Sequence, residues 1–446
     1  MCFRNIAFAG CVSACWILTS IAAPELSAPA ASLFCNTMEL RNQENQIISR
    51  AISAVLPDAA VKRALTGVQF PGRVILVAVG KAAWQMAKTA RDVLGECIET
   101  GIVITKYGHV MGPIGNLCCC EAGHPIPDEN SFSATRTALE LVSGLTERDT
   151  VLFLLSGGGS ALFEKPRIPG KELQDITGQL LACGADIVEI NTIRKRLSDV
   201  KGGRFAQACA PARVFSVVLS DIIGDPLDMI ASGPACPDSS TCAQAKQIAD
   251  KYMLNISSDA MSCLEEETPK ALPNVTTQIT GSVRELCRAS AMAAQDLGYE
   301  ARILTDRLNC QARDAGIWLS SVARENRAAG KKLAFIAGGE TVVRVTGSGT
   351  GGRNQELALS AVAGIDGMEK VCIFSVGSDG TDGPTDAAGG YVDGSTAEIL
   401  RKQGIDIQTV LNRNDSYHAL EKTGGLIFTG PTGTNVNDVA VVLLDV

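Results

Sequence analysis

RVILVAVGKAAWQMAKTARDVL, residues 73–94, decides how this chain is read. Six consecutive apolar residues, Val74–Val79, fit a strand buried on both faces, and Gly80 stops it. The segment from about Ala82 to Leu94 then reads as a helix. The same device recurs in TVLFLL (150–155) before SGGGS, in RVFSVVLS (213–220) before Asp221, in KLAFIA (332–337) and in KVCIFSV (370–376). Short apolar runs alternating with helical segments predict an α/β protein with parallel strands and crossover helices. In such sheets ligands bind beyond the carboxyl ends of the strands.

Working outward, 446 residues exceed the usual size of one core, so two domains are expected. The acidic, proline-containing stretch LEEETPKALPNVT (264–276) is the predicted linker, giving one unit over 36–280 and a second α/β unit over 281–446. Residues 1–35 fall outside both. There Arg4 precedes IAFAGCVSACWILTSIAA, which has the small-residue end of a signal sequence, while the lack of acidic residues before Glu25 matches a transit peptide. The expectation is an organellar presequence with mitochondrial or cytoplasmic residence, a secretory signal being left open. No other run is long and apolar enough to span a membrane.

A net charge of −8 argues against nonspecific nucleic-acid binding. The sixteen cysteines include no C-x-x-C pair, and Cys118–Cys120 are adjacent, so reduced thiols are expected rather than a disulfide framework. The three histidines, His109, His124 and His418, lie far apart, which disfavours zinc.

Four glycine-rich turns carry the chemistry. Lys81 stands where a helix begins, a position that opposes the helix dipole unless an anion is present. Ser156-Gly157-Gly158-Gly159-Ser160 fits an anion nest between a buried strand and apolar ALF. It is not a Walker A loop. The segment RKRLSDVKGGR (194–204) sets five cations against Asp199 alone, either lining an anionic ligand or forming a solvated helix face, with Lys201-Gly202-Gly203 as a second phosphate turn. Asp221 and Asp225 close a strand over the same crevice, where magnesium or a turn would use them. Asp379, Asp382 and Asp386 pose the same alternatives. Gly347, Gly349 and Gly352 satisfy G-x-G-x-x-G after TVVRVT, a dinucleotide signal, whereas Arg353 and Asn354 directly after suit a phosphoryl group or a carboxylate.

Taken together, GKAAWQMA, EAGHPIPDENS, LLSGGGSALFEKP, NTIRKRLSDVKGGRFA, VLSDIIGDPLDMIASGP, GGETVVRVTGSGTGGRNQELAL, GSDGTDGPTDAAGG and GLIFTGPTGTNVNDV resemble the class II glycerate kinases, the glycerate 2-kinase family with its characteristic C-terminal domain. The resemblance runs from about residue 42 to 446. It implies a Rossmann-like parallel-sheet N-terminal domain, a smaller α/β C-terminal domain and an active site in the cleft between them. It further implies transfer of phosphate from ATP to D-glycerate with Mg²⁺, Lys81 and Arg353 forming the catalytic pair. Ser156, Gly157, Gly158, Gly159, Ser160, Lys201, Gly202, Glu340 and Asn354 would contact nucleotide or substrate, and Asp221 would lie near the metal, with Asp379 and Asp382 as further candidates. His124 reads as a substrate contact or an ordinary loop histidine. Rival readings are an NAD(P)H-dependent hydroxypyruvate reductase using the 347–352 turn and a nucleotide-binding regulatory module. The expected partner is a small molecule, with a homodimer left open.

Overall fold

The computed structural model describes residues 28–445, so the expected presequence lies almost wholly outside the described residues. Six strands form the first sheet: β1 (Val74–Val79), β2 (Ile98–Lys106), β3 (Cys118–Ala122), β4 (Thr150–Leu155), β5 (Arg213–Leu219) and β6 (Val275–Gly281). All pair in parallel, in the order β3-β2-β1-β4-β5-β6. Every residue of β1 and of β4 is buried, as their uninterrupted apolar runs require. One face packs Val77, Phe153 and Phe205, and the other packs Leu76, Met86 and Leu152. Each such side chain contributes about 1.5–3 kcal/mol by leaving water. The order 3-2-1-4-5-6 reverses between β1 and β4, which opens a crevice at their carboxyl ends.

The second sheet corrects the expectation of parallel strands. It comprises β7 (Glu300–Leu308), β8 (Leu333–Gly339), β9 (Val371–Gly377), β10 (Gly389–Asp393), β11 (Leu426–Ile427) and β12 (Asp438–Leu444), in the order β11-β10-β9-β12-β8-β7. Only β7 and β8 pair in parallel. β12 runs antiparallel between β8 and β9, with Asp438 opposite both Gly339 and Gly377. Its first residue therefore arrives at the edge where β8 and β9 end.

Two boundary expectations change. The helix Ala28–Val55 supplies Leu40, Ile47 and Ile48 to the second sheet's core, beside Leu286 and Phe374. Among the described residues the chain thus contributes to the second unit before it builds the first. The stretch 264–276 is not a linker: Thr268 is buried, Glu266 pairs with Arg167 and Arg204, and β6 begins at Val275 within the first sheet. No described helix is long and apolar enough to cross a membrane.

Candidate active site

The switch point brings together two of the glycine turns read from the sequence. Lys81 N donates to Gly157 O at 2.9 Å, and Ala82 N donates to Ser156 Oγ at 3.0 Å. The buried Ser156 hydroxyl thereby caps the helix Ala83–Leu94, whose own N-cap, Ala82, offers no side-chain acceptor. Lys81 itself is exposed and forms no ion pair with a described residue. Beyond Ser156, the amides of Gly157, Gly158, Gly159 and Ser160 donate to no described residue. A run of free amides in a left-handed turn, with Gly158 at φ +86°, is an anion nest.

Close packing explains two of these glycines. A Cβ at Gly157 would lie 2.3 Å from Asp221 Oδ2, and one at Gly158 would lie 3.0 Å from the His124 ring and 3.2 Å from Lys81 Cγ. Asp221, Lys81, His124 and the nest therefore occupy one small region. Burial raises the Asp221 pKa, Lys81 opposes the rise and Glu340 adds to it. Glu340 follows β8, so the second unit reaches the same place.

A cavity of about 670 Å³ runs between the units. The first unit lines it with Lys81, Trp84, Lys106, His109, Ser156, Gly157 and Asp221, and the second with Asp379 and Thr432–Asn435. Its size suits a nucleotide-scale ligand. Arg353, on the second unit, is not among the residues that line it, but it holds Glu340, whose charge acts on Asp221. Its guanidinium holds Asp438 through Nε at 2.6 Å and Nη2 at 3.0 Å, and Glu340 through Nη1 at 3.0 Å. Burial works against that charge, but the Asp438 hydrogen bonds and the charges of Asp438, Glu340 and Asp382 outweigh it and raise the Arg353 pKa.

Family models described as "Domain of unknown function (DUF4147)" and "MOFRL family" match residues 43–265 and 333–438. The chain is 53% identical to the D-glycerate 2-kinase of Thermotoga maritima over 90% of its length and 97% of the relative's. It is 41% identical to the glycerate 2-kinase of Pyrococcus horikoshii, covering 91% of this chain and 98% of that one. The crystal structure of a Thermotoga maritima glycerate kinase superposes with a TM-score of 0.87 at 52% identity, over 91% of this chain and 100% of the other. The chain belongs to the glycerate 2-kinase family.

Several residues singled out from the sequence take structural places in this glycerate 2-kinase fold. Lys201 is fully buried, its ammonium donating to Ser160 O at 2.8 Å and Phe163 O at 3.0 Å, with Glu164 at 3.4 Å. The Gly202 amide is already spent on Ser232 O. Neither is open to a ligand. Lys195 and Arg196 are equally internal, on Asp228, Asp238 and Glu267, so the basic segment is neither a ligand lining nor a solvated face. Its charge was balanced from afar.

Asn354 is also withdrawn, accepting from Ser375 Oγ at 2.6 Å inside the core. Asp382 is a helix cap rather than a metal ligand: it accepts from the amides of Asn354 at 3.1 Å and Gln355 at 2.9 Å. Ser160 contributes its amide, while its hydroxyl meets Ser232 Oγ and its carbonyl takes Arg194 and Lys201. TVVRVT forms no strand, and the amides of Gly347 and Gly349 are satisfied by Asn414 Oδ1 and Arg413 O. With no strand before it and these two amides spent, the turn lacks the free donors a pyrophosphate needs, which removes the basis of the dinucleotide reading. Lys106, His109 and Thr432–Asn435 were missed as site residues. Lys106 ends β2 and His109 follows it, a position at a strand's carboxyl end being their signal, while Thr432–Asn435 lie in GLIFTGPTGTNVNDV, a motif to which no role was given.

Proposed function

We propose that this chain transfers the γ-phosphoryl group of ATP to the 2-hydroxyl of D-glycerate. The observation that carries the reading is the convergence of unpaired Lys81, the four free amides of Gly157–Ser160 and the Asp221 carboxylate at the cleft between the units. Phosphoryl transfer asks a protein chiefly for positioning and charge neutralisation. The nest holds phosphate oxygens, and Lys81 neutralises charge that develops on the moving phosphoryl. Arg353 completes the catalytic pair from the second unit. Its two carboxylate partners hold the fork in place, and Glu340, partly exposed, is the one that can yield to a substrate carboxylate.

The donor set fits a magnesium ion. Asp221 accepts no hydrogen bond from another described side chain, and Gly157 leaves the space beside its Oδ2 that a Cβ would fill. Asp379, across the same cavity, is the second carboxylate, and one or two carboxylates plus phosphate oxygens are the usual set. When bound, the ion neutralises phosphate charge. Among the described residues no cluster of three metal-ligating side chains offers a protein-only site.

The test is ADP release on adding D-glycerate to protein and ATP, followed by phosphorus NMR of the product. A 2-phosphoglycerate signal is expected. A 3-phosphoglycerate signal would correct the acceptor position, and no glycerate-dependent ADP release would sink the reading.

A further inference from the structure

We propose that His124 is the base that takes the proton of the acceptor hydroxyl, a role that rests on the kinase reading. His124 follows the carboxyl end of β3, on the rim that carries Gly80 and Ser156. Its ring edge lies against the anion nest: a Cβ at Gly158 would stand 3.0 Å from Cδ2 and 3.1 Å from Nε2. Neither ring nitrogen has a hydrogen-bond partner among the described residues, whereas His109, on the same rim, already contacts Lys81 O through Nδ1 at 3.1 Å. An imidazole held at a site yet left unpaired has its proton-accepting nitrogen available.

The surroundings fit a base. The chain before His124 is fixed by Asp128, which accepts from Gly123 N at 3.0 Å and from the Tyr107 hydroxyl at 2.6 Å while capping the helix Glu129–Leu141. The charged groups that face the ring are Lys81 and Lys106. Burial, and then these two cations, hold the imidazole below its usual pKa, so the neutral form prevails at pH 7. On the second rim, by contrast, Asp438 and Glu340 are engaged by Arg353.

As an acceptor lone pair forms the new O–P bond, the hydroxyl proton passes to an imidazole nitrogen of His124. The bond from the γ-phosphorus to the bridging oxygen breaks, and ADP leaves with its electron pair. His124 then returns the proton to solvent.

His124→Gln and His124→Ala, compared with wild type by initial rates and thermal melting, test this. The expected result is a kcat lowered about 10²–10⁴-fold, KM values changed less than about threefold and melting unchanged. The wild-type kcat should fall at acid pH as the imidazole is protonated, and the Gln variant should lack that limb. Added imidazole should restore part of the kcat of His124→Ala, which a packing role would not do. An active wild type with an unimpaired Gln variant, a retained acid limb or no rescue overturns this inference alone. A wild type that releases no ADP with D-glycerate overturns the kinase reading and this inference with it.

Discussion

Gly80-Lys81 and Lys201-Gly202-Gly203 are both lysines beside glycine turns, and the fold uses them in opposite ways. The first follows β1 at the sheet's open edge, where Lys81 is exposed and the adjoining nest keeps four amides free. The second lies beneath that nest. There Lys201 is buried, its ammonium grips the carbonyls of Ser160 and Phe163, and the Gly202 and Gly203 amides are spent on Ser232 and Gly233. A phosphate turn is thus defined by unspent donors, which glycine and lysine content cannot report. The buried lysine holds the frame on which the exposed site rests.

Lys81→Ala gives the largest expected effect. Removing the cation should lower kcat by about 10³-fold or more, near 4 kcal/mol, while melting stays unchanged because the side chain packs against little. Steady-state rates and a thermal melt on the same preparation measure both. Near-normal turnover would dissolve the contrast between the two lysines.

Lys201→Met should behave in the reverse manner. It leaves Glu164 buried without its nearest cation, a loss of about 3 kcal/mol in urea unfolding. Burial already pushes the Lys201 pKa down to about 8. Adding Glu164→Leu should return most of the lost stability, since an apolar pair of similar volume replaces a buried ion pair at little cost. If the double variant is less stable than the single one, Glu164 is held by something other than Lys201.

Arg353→Lys sharpens the comparison from the second rim. Arg353 meets Asp438 with two donors and Glu340 with a third, a planar fork that an ammonium cannot reproduce. We expect kcat/KM to fall by about 10–100-fold, less than for Lys81→Ala because the charge survives. Equal losses in the two variants would mean that the geometry of the fork matters as much as the charge it carries.

The sequence exposed the first unit well because buried parallel strands announce themselves. VILVAV and TVLFLL are wholly buried in the structure and end at the turns that meet in the site. It exposed the second unit less well. DVAVVLL is as apolar as any parallel strand, yet β12 runs backwards between β8 and β9, and hydrophobic pattern carries no direction. The charge of Arg194–Arg204 misled for a related reason. Its counter-charges, Glu164, Asp228, Asp238 and Glu267, lie at least 30 residues in the chain from the cations they pair with, so composition of the segment showed an excess that folding removes. Asp382 was ambiguous in the same way: an Asp-Gly turn reads alike whether its carboxylate meets a metal or a distant helix.

Asp382 supplies the smallest expected effect and tests the second rim from below. The helix Arg353–Ile365 begins at Gly352, which has no side chain to cap it, and Asp382 accepts its first free amides instead. Burial pushes the Asp382 pKa up to about 7 from 3.8. Between those values the folded protein keeps a proton that the unfolded chain has released. The contribution of this group to stability therefore declines as pH rises from about 4 to 7, and is constant above that range. Asp382→Asn keeps the shape and an acceptor oxygen but removes the titration, so its stability relative to wild type should improve across that interval. At acid pH the two proteins should agree within about 1 kcal/mol, because Asn caps helices nearly as well as Asp. Urea unfolding at pH 5 and 7.5 measures the difference, and a gap that stays constant with pH would mean that Asp382 holds the Arg353 helix as a permanent anion.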